Sequence, residues 1–73
     1  MKTEEMYVGL RRDVVLRIDH EIEIAEANLN LGIDNEDWPL AMLSRSALVR
    51  LRATREQAMT CHYMDLEIFD VRP

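Results

Sequence analysis

A chain of 73 residues with 14 acidic against 9 basic side chains, net charge −5, makes at most one domain, and a chain this short buries only about 60% of its unfolded surface, so help from a partner is expected. One cysteine excludes an intramolecular disulfide, and two histidines beside it fall short of a closed zinc site. The acidity opposes loose binding to a phosphate backbone. No apolar run reaches the roughly 18 residues of a membrane span, and MKTEEMYVGLRR has no apolar signal-peptide centre. With so little cysteine, a reducing cytoplasm is the expected location.

The N-terminal stretch alternates Met6, Val8 and Leu10 with Tyr7 and Gly9, which predicts a short strand. Val14 to Leu29 admits two readings. As a strand, Leu16, Ile18, Ile22 and Ile24 oppose Arg17, Asp19, Glu21 and Glu23. As a helix at about 100° per residue, Val14, Val15, Ile18, Ile22, Ala25 and Leu29 form an arc roughly 100° wide. The continuation AEANLNL is rich in Ala, Glu and Leu and favours the helix. Asp13 is expected to cap it, with Arg17 four residues on as an ion-pair partner. Gly32 is expected to end it in the left-handed conformation, giving a helix from approximately Asp13 to Leu31.

IDNEDWP reads as a connector. A second helix begins either at Asp37, with Pro39 in the first turn, or at Ser44. From either origin Leu40, Ala47, Leu48, Leu51, Ala58 and Met59 share a face, with Arg45, Arg50 and Arg52 largely outside it. Residues 1–37 carry ten acidic and four basic side chains, whereas residues 38–73 carry four and five. Two helices of opposite sign joined by a short connector should pack antiparallel, with Ile18, Ile22 and Leu29 against Leu48 and Leu51. Met64, Leu66 and Ile68 alternate with Asp65 and Glu67 and predict a closing strand. The expected fold is therefore α+β: one domain over 1–73, a two-helix hairpin with short terminal strands in β-α-α-β order.

Catalytic and cofactor chemistry finds no supporting constellation. Adjacent Cys61 and His62 in a strand would point to opposite faces, which disfavours a nucleophile pair. His20 reads as an exposed histidine beside Asp19 and Glu23. Asp19, Glu23 and Glu26 share a face that is more simply a solvated acidic surface than a metal or acid/base site. Two isolated glycines, Gly9 and Gly32, make no phosphate-cradling loop. No enzymatic activity and no cofactor or metal are expected. Trp38 is expected as a small-core anchor, with a partner hot spot as the alternative. The cluster Arg45, Arg50, Arg52 and Arg55 is expected to be a solvated face paired with the acidic helix, the alternatives being nucleic acid or an acidic protein surface.

Two family resemblances bear on function. LSRSALVRL, Leu43 to Leu51, resembles the start of the second helix of ribbon-helix-helix DNA-binding regulators. That resemblance implies VVLRI as a groove-reading ribbon, DHEIEIAEANL as the first helix, and a repressor or antitoxin role. On length, acidity, the ends EEMYVGL and YMDLEIFDV and the helical middle, the whole chain resembles the very small phage regulators that bind bacterial RNA polymerase. This second resemblance implies a non-enzymatic inhibitor of transcription initiation that docks on the polymerase core subunits in the host cytoplasm, with no membrane and no direct nucleic-acid contact. It is preferred, because an acidic chain with open strand edges suits protein docking. The expected partner-binding residues are Tyr7, Arg11 and Arg12 on the N-terminal strand, with Arg45 and Arg52 on the second helix as the competing surface. Whether the chain is a monomer or a dimer stays open.

Overall fold

A computed structural model describes residues 4–62, and within them the chain is an antiparallel helical hairpin: α1, Glu4–Asp34, and α2, Trp38–Thr60. No strand occurs among the described residues. The α+β expectation is thereby corrected to an all-helical hairpin. Residues Met6 to Leu10, expected as a strand, form the start of α1, and the expected strand over Met64 to Ile68 lies outside the described residues. The physical reason lies in Leu10. It sits four residues before Val14, which sits four before Ile18, so Leu10 extends the stripe of one long helix. A solitary strand pair would have been marginal by comparison.

Asp13 is consequently an exposed residue in the helix interior rather than its cap, and Gly32 lies within the helix with no positive φ. The turn is built by Glu36, which takes the left-handed conformation (φ 54°). Its N–H donates to the Ile33 carbonyl at 3.1 Å, while the Asp37 N–H donates to the Gly32 carbonyl at 2.7 Å. These bonds form a Schellman motif that uses a residue other than glycine at the left-handed position. Of the two starts open for α2, the one at Asp37 is observed and Ser44 lies inside the helix. The Asp37 carboxylate accepts from the Leu40 N–H at 3.2 Å, and Pro39 occupies the first turn.

Gly32 serves helix packing instead. A Cβ built there would fall 2.8 Å from the Ala41 backbone nitrogen and 3.1 Å from both the Ala41 Cα and the Asp37 carbonyl oxygen. Near the turn the two helices therefore touch backbone to backbone, and Ala41 and Ser44 are buried on the same side. At the open end the core is Val14, Ile18 and Ala58, flanked by half-buried Leu10, Val15, Ile22 and Leu51. Of the expected seam, Ile18 and Leu51 share this cluster, Leu48 is buried outside it together with Ala25, and Ile22 and Leu29 are only half buried. Among the described residues, the buried hydrophobic side chains larger than alanine are Val14, Ile18 and Leu48. At about 1.5–3 kcal/mol per fully buried large side chain, that is a thin core.

Arg11 holds the open end together. Its guanidinium, carried on α1, donates to the carbonyls of Ala58, Met59 and Cys61, at 3.1, 2.5 and 2.6 Å. Ala58 and Met59 belong to the last turn of α2 and Cys61 is its C-cap residue, where carbonyls lose their helical partners, so a cation from the neighbouring helix supplies the cap. A second cross-link joins Arg55 Nε to Asp19 Oδ1 at 2.6 Å, with both side chains more than a third exposed. Such a pair contributes at most about 1 kcal/mol and chiefly fixes register.

Candidate protein-binding surface

The hairpin leaves many large apolar side chains in water. Val8, Leu16, Ile24, Leu31, Ile33, Trp38, Met42, Leu43, Val49 and Met59 are each close to half exposed or more. A surface helix ordinarily confines its apolar residues to one stripe, and apolar residues on several sides mark a helix that meets further partners. On α2 these residues have an order. Leu48, Leu51 and Ala58 face α1, while Trp38, Met42 and Val49 recur at four- and seven-residue spacing on the outward side. Trp38 is 57% exposed. The core-anchor expectation for it is corrected, because Asp37 caps the helix immediately before it and the turn aims position 38 away from the seam.

Arg45 and Arg52 border this outward row and are exposed. Met42, Arg45, Ser46, Val49 and Arg50 line a shallow depression of about 500 Å³. Exposed aromatic and methionine side chains beside guanidinium groups are the usual composition of a protein-binding hot spot. Arg45 stands three residues after Met42 and four before Val49, close enough to give bidentate hydrogen bonds to a carboxylate next to an apolar contact.

The sequence-derived site residues separate accordingly. Arg45 and Arg52 fall together on the outward side of α2. Tyr7 lies in α1 and not on a strand edge, so the strand-addition mode expected for the N-terminus has no template there. Arg12 is exposed on α1, whereas Arg11 is committed to the α2 carbonyls and does not offer its guanidinium outward. Arg55, grouped with the other arginines by sequence, is the one that pairs with the acidic helix. Met42, Leu43 and Val49 were missed as exposed apolar residues. Their signal was available, since all three sit off the face that carries Leu48, Leu51 and Ala58.

Elsewhere the chemistry is sparse. Cys61 follows the end of α2 and donates its thiol to the Ala58 carbonyl, with S···O at 3.8 Å. Among the described residues no group of three His, Cys, Asp or Glu side chains could hold a metal ion, and no described helix is long and apolar enough to cross a membrane. Comparisons with protein-family models, curated proteins and solved structures find no match to this chain.

Proposed function

We propose that this chain is a non-enzymatic docking protein that presents the outward side of α2 to a larger protein partner. The observation that carries the proposal is the row Trp38, Met42 and Val49 bordered by Arg45 and Arg52, apolar area and paired cations held on one rigid helix. The partner chemistry this row fits is an apolar groove rimmed by carboxylates. From the whole-chain resemblance, the partner we propose is the core of bacterial RNA polymerase in the host cytoplasm, with inhibition of transcription initiation as the consequence. That resemblance now rests on length, acidity and the helical middle, since EEMYVGL is helical where it was expected to be extended.

The repressor reading needs Val14 to Ile18 as a β-ribbon. Those residues are helical, and Val14 and Ile18 are buried against α2, so the element that would enter a DNA groove is missing. Binding of purified polymerase core by the wild-type chain, by Trp38→Ala with Val49→Ala, and by Arg45→Ala with Arg52→Ala tests the proposal. Both double variants should lose at least about tenfold in affinity, as expected when hot-spot residues are truncated. Undiminished binding by both removes the α2 surface from the account, and no binding by wild type removes the polymerase.

A further inference from the structure

The broad side of the hairpin where both helices are accessible carries a second pattern, separate from the outward row of α2. Along α1, Glu21, Ile24 and Leu31 lie on one flank, and along α2, Leu43, Ala47 and Arg50 lie on the corresponding flank. Glu21, Ala47 and Arg50 line a common interhelical depression of about 470 Å³, which places the two flanks on the same side of the molecule. Ile24, Leu31 and Leu43 are all about half exposed or more, and Leu43 reaches 71%.

We infer that a second copy of this chain covers this side, giving a two-fold four-helix bundle in which α1 of each copy lies on α2 of the other and both turns sit at the same end. Charge selects this occupant and this orientation. α1 carries eight acidic and three basic side chains, a net of −5, whereas α2 carries one and four, a net of +3. Two hairpins laid face to face can be related by a two-fold axis along the helices, which sets α1 on the partner's α2, or by one across them, which sets α1 on α1. The second arrangement opposes two net-acidic helices, and the first sets the net-acidic helix on the net-basic one, with Glu21 toward Arg50 and Arg17 the basic exception on the α1 flank.

The register agrees. Asp19 pairs with Arg55 and Gly32 packs on Ala41, so residues at one level of the hairpin sum to about 73 in number. With the axis along the helices, same-level residues of the two copies oppose one another. Leu31 then meets the partner copy at the level of Leu43, and Glu21 meets it near the level of Arg50. Each contact is made twice, as two-fold symmetry requires.

Size is adequate as well. α2 has 23 residues, hence a length of about 35 Å at 1.5 Å per residue. The molecule is 18 Å across. One face therefore covers about 600 Å² in each copy, and about 1,200 Å² in total reaches the lower bound of a stable interface. The thin core of the single hairpin gives such an association a reason, since burial of Ile24, Leu31 and Leu43 would about double the number of large buried side chains. Trp38, Met42, Val49, Arg45 and Arg52 stay on the bundle exterior, while Arg50, which lines both depressions, is given to the dimer contact.

The test is the mass of the full chain in solution together with the distance between spin labels on the native Cys61, which sits at the end opposite the turn. The expected mass is twice 8.6 kDa. The same-end bundle places the two labels across its diagonal, below about 30 Å with label arms included, whereas the opposite-end bundle separates them by about 35 Å of helix plus the arms. Glu21→Arg and Arg50→Glu should each raise the dimer dissociation constant about tenfold or more, and the double exchange should restore it. Circular dichroism confirms that each variant keeps its helices. A monomer at millimolar concentration, a dimer with the long label distance, or single charge reversals with no effect on association each overturns the inference.

Discussion

Replacing Gly32 by alanine tests the backbone-to-backbone contact at the turn. The new methyl carbon would lie 2.8 Å from the Ala41 nitrogen and 3.1 Å from the Ala41 Cα and the Asp37 oxygen, all of them main-chain atoms. None can yield alone. The Ala41 N–H donates to the Asp37 carbonyl at 3.0 Å, and Asp37 is itself tied to the Gly32 carbonyl, so relief requires displacing the first turn of α2 together with the Schellman bonds. Overpacking of this kind costs about 1–3 kcal/mol, against a gain of about 1 kcal/mol in helix propensity. The net expectation is a loss of about 0–2 kcal/mol. Gly9 supplies the control, because nothing lies within 4 Å of a Cβ added there. Gly9→Ala should stabilise by about 1 kcal/mol. The two variants should therefore differ by about 1–3 kcal/mol in urea unfolding followed by circular dichroism at a single protein concentration. Equal stabilisation by both would refute the close approach of the helices.

Further outcomes follow from individual residues. Glu36→Gly should stabilise by about 0.5–1 kcal/mol, because a left-handed non-glycine residue costs about 1–2 kcal/mol and the glycine loses part of that gain in unfolded-state entropy; thermal unfolding at fixed concentration measures it. Arg11→Leu should destabilise by about 1–2 kcal/mol and accelerate amide exchange in the last turn of α2, whereas Arg12→Leu should leave both nearly unchanged. Asp19→Asn should cost less than about 1 kcal/mol, an effect that shrinks in high salt. Trp38 should emit as a water-exposed indole, be quenched readily by acrylamide, and tolerate Phe without loss of stability; a blue emission in the free chain would contradict its placement.

The parts of the fold that follow from local rules were legible. The apolar arc from Val14 to Leu29 named most of the α1 face, and Asp37 with Pro39 marked the start of α2, because a carboxylate accepting a first-turn N–H and a proline in that turn are short-range signals. The terminal strand over Met6 to Leu10 misled because five alternating residues fit a period of two while Leu10 also belongs to the helical stripe. Only the continuation into Val14 decides between them. Gly32 misled for a different reason. A glycine near a helix end usually marks the left-handed position, whereas this one admits a neighbouring backbone, a tertiary demand with no local signature, and Glu36 takes the strained position instead. Arg11 shows the same limit at the candidate site. Its partners are main-chain carbonyls 47 to 50 residues away, so sequence grouped it with outward-facing donors. The α2 arginines were legible as a cluster, but the apolar row between them emerges only once the inward face of α2 is fixed by Leu48, Leu51 and Ala58.

The docking account is tested most directly by hydroxyl-radical footprinting of the full chain with and without RNA polymerase core, read by mass spectrometry at each side chain. Trp38 and Met42, exposed and readily oxidised, should be protected in the complex, while Leu16 on α1 keeps its free-chain rate. A complex in which Trp38 and Met42 oxidise as fast as in the free chain would contradict the account.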